Sequence, residues 1–398
     1  MNIYNNRVAI TWTLVFLLLS ILMVKVNYVA RENDTRLYTI FLKQLDEKPL
    51  SDIIKLEWQG KSVYSEKETP YVRDHLIGQF FVPLTLTKVG IPSSHALYIT
   101  NTLYKILSII LLYLIATNVF SKKISALTTI LVQLTPINFN YLMRANHEPP
   151  LLLLVLLIIY ACLGLRTRKQ YYLLIFICFH FCFLIKGISF LPIIPLTFIC
   201  YLALNYKEEK REVAKGFLTL SFLSLSVLAT AAFYEYLFRM KTGFPFFEQY
   251  FKLQVVQRTL DIESHSPLLI QKIKNLTYYS SRLLSYSLPW TLIPIYYLIK
   301  KDRFNNYTKS QLNFLAMLVL CSLSYVLIFS TADRLASRYI FPSYYLFSMA
   351  SIFYFLRKVE DKIKLTSNTL LIISSLTFFI LTSINIIRSI DNASIYTH

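Results

Sequence analysis

The chain has 398 residues, of which 55% are hydrophobic and only 16% are charged, and its mean hydropathy is +0.48. This composition excludes an ordinary soluble domain and is typical of a polytopic membrane protein. The formal net charge is +19, but many of the basic residues fall in short clusters between apolar segments. Membrane topology explains these clusters better than nucleic-acid binding, for which the sequence has no basic face or motif.

Eleven apolar segments are predicted to be transmembrane helices, which makes the chain an all-α membrane protein. The first segment lacks the small-residue cleavage site of a signal peptide and is expected to remain as a helix. A shorter apolar stretch, 76–90, is predicted to lie on the membrane surface or to pack against the bundle. The eleven segments are 8–30, 100–120, 124–142, 149–165, 171–185, 188–206, 216–238, 283–299, 311–330, 339–356 and 369–387.

Two long polar connections, 31–98 and 239–282, interrupt this series. With the N-terminus placed in the cytoplasm, Arg7 and the inward connections hold 18 lysines and arginines, whereas the short outward connections and the tail hold five, as the positive-inside rule requires. The same parity places both long loops on the outer side, where helices at the membrane interface are expected. We predict one membrane-embedded domain over 1–398, without a separate soluble C-terminal domain.

The five cysteines lie inside apolar segments and show no paired spacing. We therefore predict packing roles for them, and neither a disulfide framework nor a thiolate zinc site. They are Cys162, Cys178, Cys182, Cys200 and Cys321.

The first outer loop places acids and cations beside the end of a transmembrane helix. Glu32 and Asp34 lie within one turn of that end, where a partly desolvated carboxylate can act as a general base. Arg36 and Lys67 are suited to binding a phosphate, one through its planar fork and the other as a point charge. Each residue also has a structural alternative, because a loop aspartate beside an arginine is more often a surface pair or a helix cap.

Three further outward turns carry polar residues. Glu148, in the sequence RANHEPP, is consistent with a simple helix start followed by two prolines or with a site residue. Lys186 interrupts two apolar helices, where it can snorkel or meet an anionic headgroup. Arg338 and Tyr339 can anchor a helix at the membrane surface or contribute to the same outer cavity.

Taken in order, the motifs NDTRLY, YSEK, RANHEPP, IKG, FFEQYFKLQVVQR, SLPW and SRYIFP resemble the polyprenyl-phosphate-dependent GT-C glycosyltransferases. The similar group contains aminoarabinose transferase and the bacterial relatives of protein O-mannosyltransferases, and the resemblance extends from Val8 to about Leu356. It implies transfer of a hexose or pentose from a polyprenyl-phosphate donor to a lipid, glycan or protein acceptor. The transfer would take place on the outer face of the cytoplasmic membrane, and the product would be a modified lipid A, another envelope lipid or a glycan.

The resemblance also implies roles for individual residues. Alignment on Thr35 and Arg36 puts Asn33 where the family has its catalytic acid and Asp34 where it has a second acid. Either Asp34 has taken over the catalytic role, with Glu32 as the second candidate, or the chain is not catalytic in the usual way; we favour Asp34. With the outward residues Lys186 and Arg338 included, the predicted donor-phosphate and cavity residues are Arg36, Tyr64, Glu66, Lys67, Glu148, Lys186, Arg338 and Tyr339.

The family's metal-binding Glu-His pair corresponds to Gln254 and Val255, so we predict no metal ligands, and a divalent metal is the one cofactor that the resemblance leaves open. A transporter or flippase of polyprenyl-linked or lipid-linked saccharides is the alternative function, because it would use the same cations and tyrosines. Such a transporter needs access from both sides, whereas nearly all candidate residues here are predicted on one side. The sequence alone identifies neither the sugar nor the acceptor.

Overall fold

The computed structural model describes residues 3–26, 33–58, 70–73, 75–141, 146–252, 268–300, 307–332, 335–360 and 367–395. In these ranges the protein is almost entirely helical, and a single antiparallel bridge joins Glu57 and Tyr71. The predicted all-α class is confirmed.

The helices follow one another as in a bundle with short connections. In the described part of the chain, four short 3-10 segments accompany the α-helices, namely Leu50–Asp52, Gly78–Phe80, Gly187–Phe190 and Ser337–Ile340. The α-helices of the described ranges are α1 (Ile3–Lys25), α2 (Asn33–Glu47), α3 (Phe81–Lys88), α4 (Ser93–Thr117), α5 (Lys122–Val132), α6 (Pro136–Tyr141), α7 (Glu148–Gly164), α8 (Tyr171–Lys186), α9 (Ile193–Leu204), α10 (Lys210–Thr242), α11 (Phe246–Phe251), α12 (Leu268–Tyr286), α13 (Leu292–Ile299), α14 (Lys309–Phe329), α15 (Phe341–Val359) and α16 (Ser367–Ile395).

Within the described ranges, five helical segments are long and apolar enough to cross a membrane. They are Ser93–Thr117, Lys210–Thr242, Lys309–Phe329, Ser337–Val359 and Asn368–Ile387. Shorter apolar helices occupy Ile10–Lys25, Glu148–Gly164, Tyr171–Lys186 and Ile193–Leu204. These helices coincide with nine of the eleven predicted segments, and the total of eleven transmembrane helices stays a prediction.

The other two predicted segments are interrupted. Segment 124–142 is divided between α5 and α6, because the helix stops before Pro136, which begins the next one. Segment 283–299 is divided between α12 and α13, on either side of Pro289. A proline lacks the amide hydrogen that would continue the helical ladder, so it favours a new helix start.

A large apolar core lies between α7, α8, α9, α14 and α15, which pack against one another. A second cluster, centred on Trp12, Phe16 and Phe378, joins α1 to α16 and α4. By contrast, α10 contacts α8 and α9 along a narrow face and leaves large side chains such as Phe222 and Leu228 exposed. Exposed apolar side chains on a long helix are expected where the helix faces lipid.

The two long polar loops contact each other. Arg73, in the first, donates from Nη1 to the carbonyl oxygen of Pro245 at 2.8 Å, and Asp52 pairs with Lys241 at 3.2 Å. The first loop contains the amphipathic α2, which buries residues such as Phe41 and Leu45 and exposes its charged face. The predicted stretch 76–90 forms the segment Gly78–Phe80 and α3, which pack on α8 and α4.

Candidate functional site

Asp34 lies in the first turn of α2 and is half-buried. Its Oδ2 atom accepts a hydrogen bond from Arg338 Nη1 at 2.5 Å and another from Asn146 Nδ2 at 3.2 Å. The three residues come from the first loop, the turn before α7 and the turn before α15. The fold thus brings a carboxylate, a guanidinium and an amide together from distant parts of the chain.

Arg338 is held by the packing of its short helix, Ser337–Ile340. The hydroxyl of Tyr344, one turn into α15, donates to the carbonyl oxygen of Ser337 at 2.9 Å. The ring of Tyr339, the residue after Arg338, stacks on Phe329 at the end of α14, with 5.5 Å between centroids. These contacts fix the backbone on both sides of Arg338, so its side chain reaches Asp34 from a rigid support.

A second ion pair lies beside the first. Glu148, in the first turn of α7, faces Lys186 at the end of α8, and Oε1 and Nζ are 3.7 Å apart. The Lys186 ammonium also lies 5.4 Å from the centre of the Tyr339 ring, within the range of a cation–π interaction. The other oxygen of Glu148, Oε2, is buried and has no hydrogen-bond partner among the described residues.

Arg338 connects the two pairs. A cavity of about 10 Å³ is lined by Glu148, Lys186, Arg338 and Tyr339 together with apolar side chains. That volume holds about one water molecule. The candidate site therefore has one acid and two cations around a small cavity with a tyrosine ring as one wall, and Asp34 is bound to Arg338 beside it.

The position of Lys186 depends on Gly187 and Tyr250. Gly187 has φ of +56° and ψ of −128°, a conformation that is essentially restricted to glycine, and a Cβ atom there would overlap the hydroxyl of Tyr250. This hydroxyl accepts from the backbone N–H of Ile188 at 2.9 Å and donates to the carbonyl oxygen of Lys186 at 3.3 Å. The second loop thus contributes to the site through α11. This contribution was not predicted from the sequence.

No role was predicted from the sequence for Asn146, His147 or His75. His147 is buried, and its ring stacks on His75 with 5.9 Å between centroids, while Tyr38 packs against it edge-on. Burial lowers the pKa of His147 well below its usual value, and the positive charges of Lys186 and Arg338 and the His75 ring lower it further. The only signal in the sequence was the RANHEPP motif, which has the two residues immediately before Glu148.

The structure brings together five predicted residues: Asp34, Glu148, Lys186, Arg338 and Tyr339. Arg36 is exposed on α2, and its guanidinium makes no ion pair with any residue in the described ranges. Glu148 also begins α7 with prolines after it, so its predicted role as a helix start is confirmed. Four predicted residues, Glu32, Tyr64, Glu66 and Lys67, lie outside the described residues.

The residues at the expected metal positions, Gln254 and Val255, also lie outside the described residues. Among the residues that are described, no group of three or more histidine, cysteine, aspartate or glutamate side chains could hold a metal ion. The five cysteines are buried, as expected of residues that pack in the core.

A much larger cavity, of about 910 Å³, lies between α12, α13, α14 and α15 and has an almost entirely apolar lining. Ile295 and Leu298 line it from α13, and Leu315 and Val319 from α14. Phe347 lines it from α15, seven residues after Ile340, where the Arg338 segment ends. The charged site and the large apolar cavity therefore share α15 as a common wall.

Residues 76–234 match the sequence profile of the family described as dolichyl-phosphate-mannose-protein mannosyltransferase. This range contains Glu148 and Lys186 but neither Asp34 nor Arg338. A search of curated protein sequences gave no significant match.

The structure is similar to that of ArnT from Cupriavidus metallidurans bound to undecaprenyl phosphate, with a TM-score of 0.59 and 12% identity over 86% of this chain and 59% of ArnT. The apo structure of that ArnT matches with a TM-score of 0.51 and 13% identity, over 79% of this chain and 53% of ArnT. The chain thus spans less than two thirds of the length of the ArnT that it matches. These matches confirm the resemblance to GT-C glycosyltransferases and the multi-pass membrane fold.

Proposed function

We propose that this protein is an integral membrane glycosyltransferase that moves a sugar from a polyprenyl-phosphate donor to a lipid, glycan or protein acceptor. The observation that carries the proposal is the convergence of Asp34, Arg338, Glu148 and Lys186 in a bundle with the ArnT fold. The reaction takes place on the outer face of the cytoplasmic membrane, and the whole chain acts as one membrane-embedded domain.

In the proposed mechanism, the acceptor hydroxyl or amine attacks the anomeric carbon of the sugar. A bond from the acceptor to this carbon forms while the bond from the carbon to the phosphate oxygen breaks, with inversion. The proton of the acceptor passes to the Asp34 carboxylate, and the polyprenyl phosphate leaves as an anion. A general base of this kind contributes roughly 10²–10⁴-fold to the rate.

The cations of the site stabilise the departing phosphate. Arg338 and Lys186 already lie at the cavity, and Arg36 and Lys67 are the further cations that the family resemblance implies for the first loop. Preorganised cations act most strongly where water is excluded. No nucleotide-sugar site is required, because the donor already has an activated sugar–phosphate bond.

The ligand seen in the ArnT structure is undecaprenyl phosphate, and the same class of carrier suits this chain. Its long apolar tail would lie in the cavity between α12, α13, α14 and α15, whose lining is almost entirely apolar. Because lipid is as apolar as this lining, van der Waals packing of the tail against the cavity side chains would stabilise the complex there. The phosphate would then lie near Arg338, at the start of α15.

The test compares Asp34→Asn with Asp46→Asn in purified protein reconstituted in liposomes. Asp46 lies on the same helix and pairs with Lys88 at 3.4 Å, away from the site. The substrates are undecaprenyl phosphates that carry radiolabelled hexoses or pentoses. Two products are measured together, namely the free undecaprenyl phosphate that is released and the acceptor that has received the labelled sugar. We expect a loss of roughly 10²–10⁴-fold for Asp34→Asn and less than a twofold change for Asp46→Asn.

Unchanged transfer by Asp34→Asn would remove Asp34 from the mechanism. Movement of an intact labelled donor across the liposome membrane without release of undecaprenyl phosphate would instead support the transporter, since a transporter leaves the sugar–phosphate bond unbroken.

A further inference from the structure

The side-chain amide of Asn146 has partners of opposite kind at its two ends. Nδ2 lies 3.2 Å from Asp34 Oδ2, and Oδ1 lies 2.8 Å from the backbone nitrogen of His147. An ionised carboxylate only accepts hydrogen bonds, and a backbone N–H only donates them. Only one orientation of the amide satisfies both partners, so the direction of the Nδ2–H bond toward Asp34 is fixed.

The imidazole of His147 holds the Asn146 amide in that same orientation. Its Nδ1 atom lies 2.8 Å from Asn146 Oδ1, and because that oxygen only accepts, Nδ1 carries the proton. The ring is fixed between His75 and Tyr38, whose hydroxyl lies 3.5 Å from Nδ1. Both Asn146 and His147 are buried, so water competes little for these hydrogen bonds.

These fixed hydrogen bonds make the two carboxylate oxygens of Asp34 unequal. Both donors, Arg338 and Asn146, bind Oδ2, and within the described ranges no donor binds Oδ1. An oxygen that already accepts two hydrogen bonds, one of them from a guanidinium, has less electron density to offer a further proton. Oδ1 is therefore the more basic atom and the one free to meet an acceptor.

We propose that Asn146 and His147 are positioning residues that hold the Asp34 carboxylate in one orientation, with Oδ1 presented as the atom that takes the acceptor's proton. The proposal rests on the proposed function and assigns two residues and one atom to it. The terminal torsion of an aspartate side chain is broad and nearly twofold. Without the amide of Asn146, the carboxylate would rotate about this torsion with Arg338 as its remaining partner, and Oδ1 would lose its fixed direction.

The first experiment measures steady-state transfer from the labelled undecaprenyl-phosphate sugar that the unaltered protein consumes. Asn146→Ala and His147→Phe are expected to lower kcat by roughly 10–100-fold, as for a small misplacement of a reacting group, with KM for the donor changed less than threefold. His147→Phe retains a ring between His75 and Tyr38 but removes the Nδ1 donor. His147→Asn restores an N–H donor near that position and is expected to recover most of kcat.

The matched control is His180→Phe. His180 bonds Ser226 and Thr230 between α8 and α10, away from the site, so this variant loses a histidine of similar structural role. It is expected to retain kcat within twofold. A merely structural role of His147 would lower the yield of folded protein without a selective loss of kcat and without recovery in His147→Asn.

A structure of Asn146→Ala that resolves the two carboxylate oxygens is the second measurement and does not depend on activity. We expect more than one carboxylate orientation, and a single unchanged orientation would overturn the proposal. If Asp34→Asn abolishes transfer while Asn146→Ala and His147→Phe keep kcat within twofold, the positioning role fails and the proposed function stands. If Asp34→Asn transfers normally, Asp34 is not the general base and the positioning role fails with it, whereas movement of intact donor without release of undecaprenyl phosphate by the unaltered protein would overturn the proposed function.

Discussion

The two ion pairs of the site differ in exposure and geometry. Asp34 and Arg338 leave 31% and 29% of their side chains exposed and are 2.5 Å apart, whereas Glu148 and Lys186 leave only 2% and 13% exposed and are 3.7 Å apart. The first pair is short and open to ligand, and the second is longer and enclosed. The two pairs meet at the short helix Ser337–Ile340, which supplies Arg338 to the first pair and the Tyr339 ring to the second.

This difference indicates a division of work. An accessible carboxylate can meet an acceptor and release its proton to solvent, as a general base must. An enclosed pair gains from mutual attraction but must offset a large desolvation cost, so its loss on one side leaves an uncompensated charge. We therefore infer that the open pair supplies the general base, while the enclosed pair shapes the cavity and holds the Lys186 cation there.

The largest predicted effect is on the enclosed pair. Lys186→Met removes the ion-pair partner of the buried Glu148 and leaves Arg338 as a more distant cation, which is expected to destabilise the protein by about 3–5 kcal/mol. The measurement is thermal unfolding in detergent micelles. The double variant Lys186→Met with Glu148→Met is expected to recover most of the lost stability, because replacing both partners by apolar groups removes the buried charge.

The matched control for this experiment is Lys88→Met. Lys88 pairs with Asp46, and both side chains are more than a third exposed, so the expected loss is less than about 1 kcal/mol. Equal losses in Lys186→Met and Lys88→Met would show that enclosure of the Glu148–Lys186 pair does not raise the cost of breaking it.

The next effect is on activity. Arg338→Met removes the cation from Asp34 and from the cavity, and transfer is expected to fall by roughly 10²–10³-fold, as when one donor to a developing anion is removed. Arg338→Lys is expected to be intermediate, because a lysine supplies a point charge but not the planar fork. The measurement is release of undecaprenyl phosphate from the labelled donor.

Arg239→Met is the control for Arg338→Met. Arg239 pairs with Glu235 on α10 at 3.3 Å and is mostly exposed, so transfer should change less than twofold. A loss of less than threefold in Arg338→Met would show that the open pair does not perform the chemistry.

Much of the fold and the general location of the site could be predicted from the sequence. Hydrophobic segments gave the helices, because an apolar run has few alternatives in a membrane. Charge parity put Asp34, Glu148, Lys186 and Arg338 at turns of the same side, and the fold brings these four residues together. The outer position of that side stays a prediction.

The pairing within the site could not be predicted. Arg338 was expected to contribute a cation to the cavity, and its bond to Asp34 depends on how the turn before α15 packs against α2, 304 residues away in sequence. Asn146 and His147 had no signal beyond their neighbourhood to Glu148, since a hydrogen bond between side chains requires geometry that sequence spacing does not give. Pro136 is a sequence signal for a new helix start, and the predicted single segment 124–142 did not take it into account.

The smallest predicted effect concerns the backbone that carries Lys186. Gly187→Ala is expected to destabilise the protein by about 1–3 kcal/mol, because an alanine is strained at this φ and ψ, and to lower transfer by displacing Lys186. The added methyl group would also overlap the Tyr250 hydroxyl. The measurements are thermal unfolding and release of undecaprenyl phosphate.

Gly243→Ala separates the two causes. Gly243 also has a positive φ, +79°, but a Cβ atom there would meet nothing within 4 Å, so only the backbone cost of about 1–2 kcal/mol applies. The Cζ atom of Tyr250 would also lie only 2.5 Å from the added methyl group of Gly187→Ala, and the hydroxyl itself bonds the Lys186 turn. Combining Gly187→Ala with Tyr250→Phe should therefore recover little of the lost transfer. If Gly187→Ala and Gly243→Ala reduce transfer equally, the contact between Tyr250 and the Lys186 turn does not position the enclosed pair.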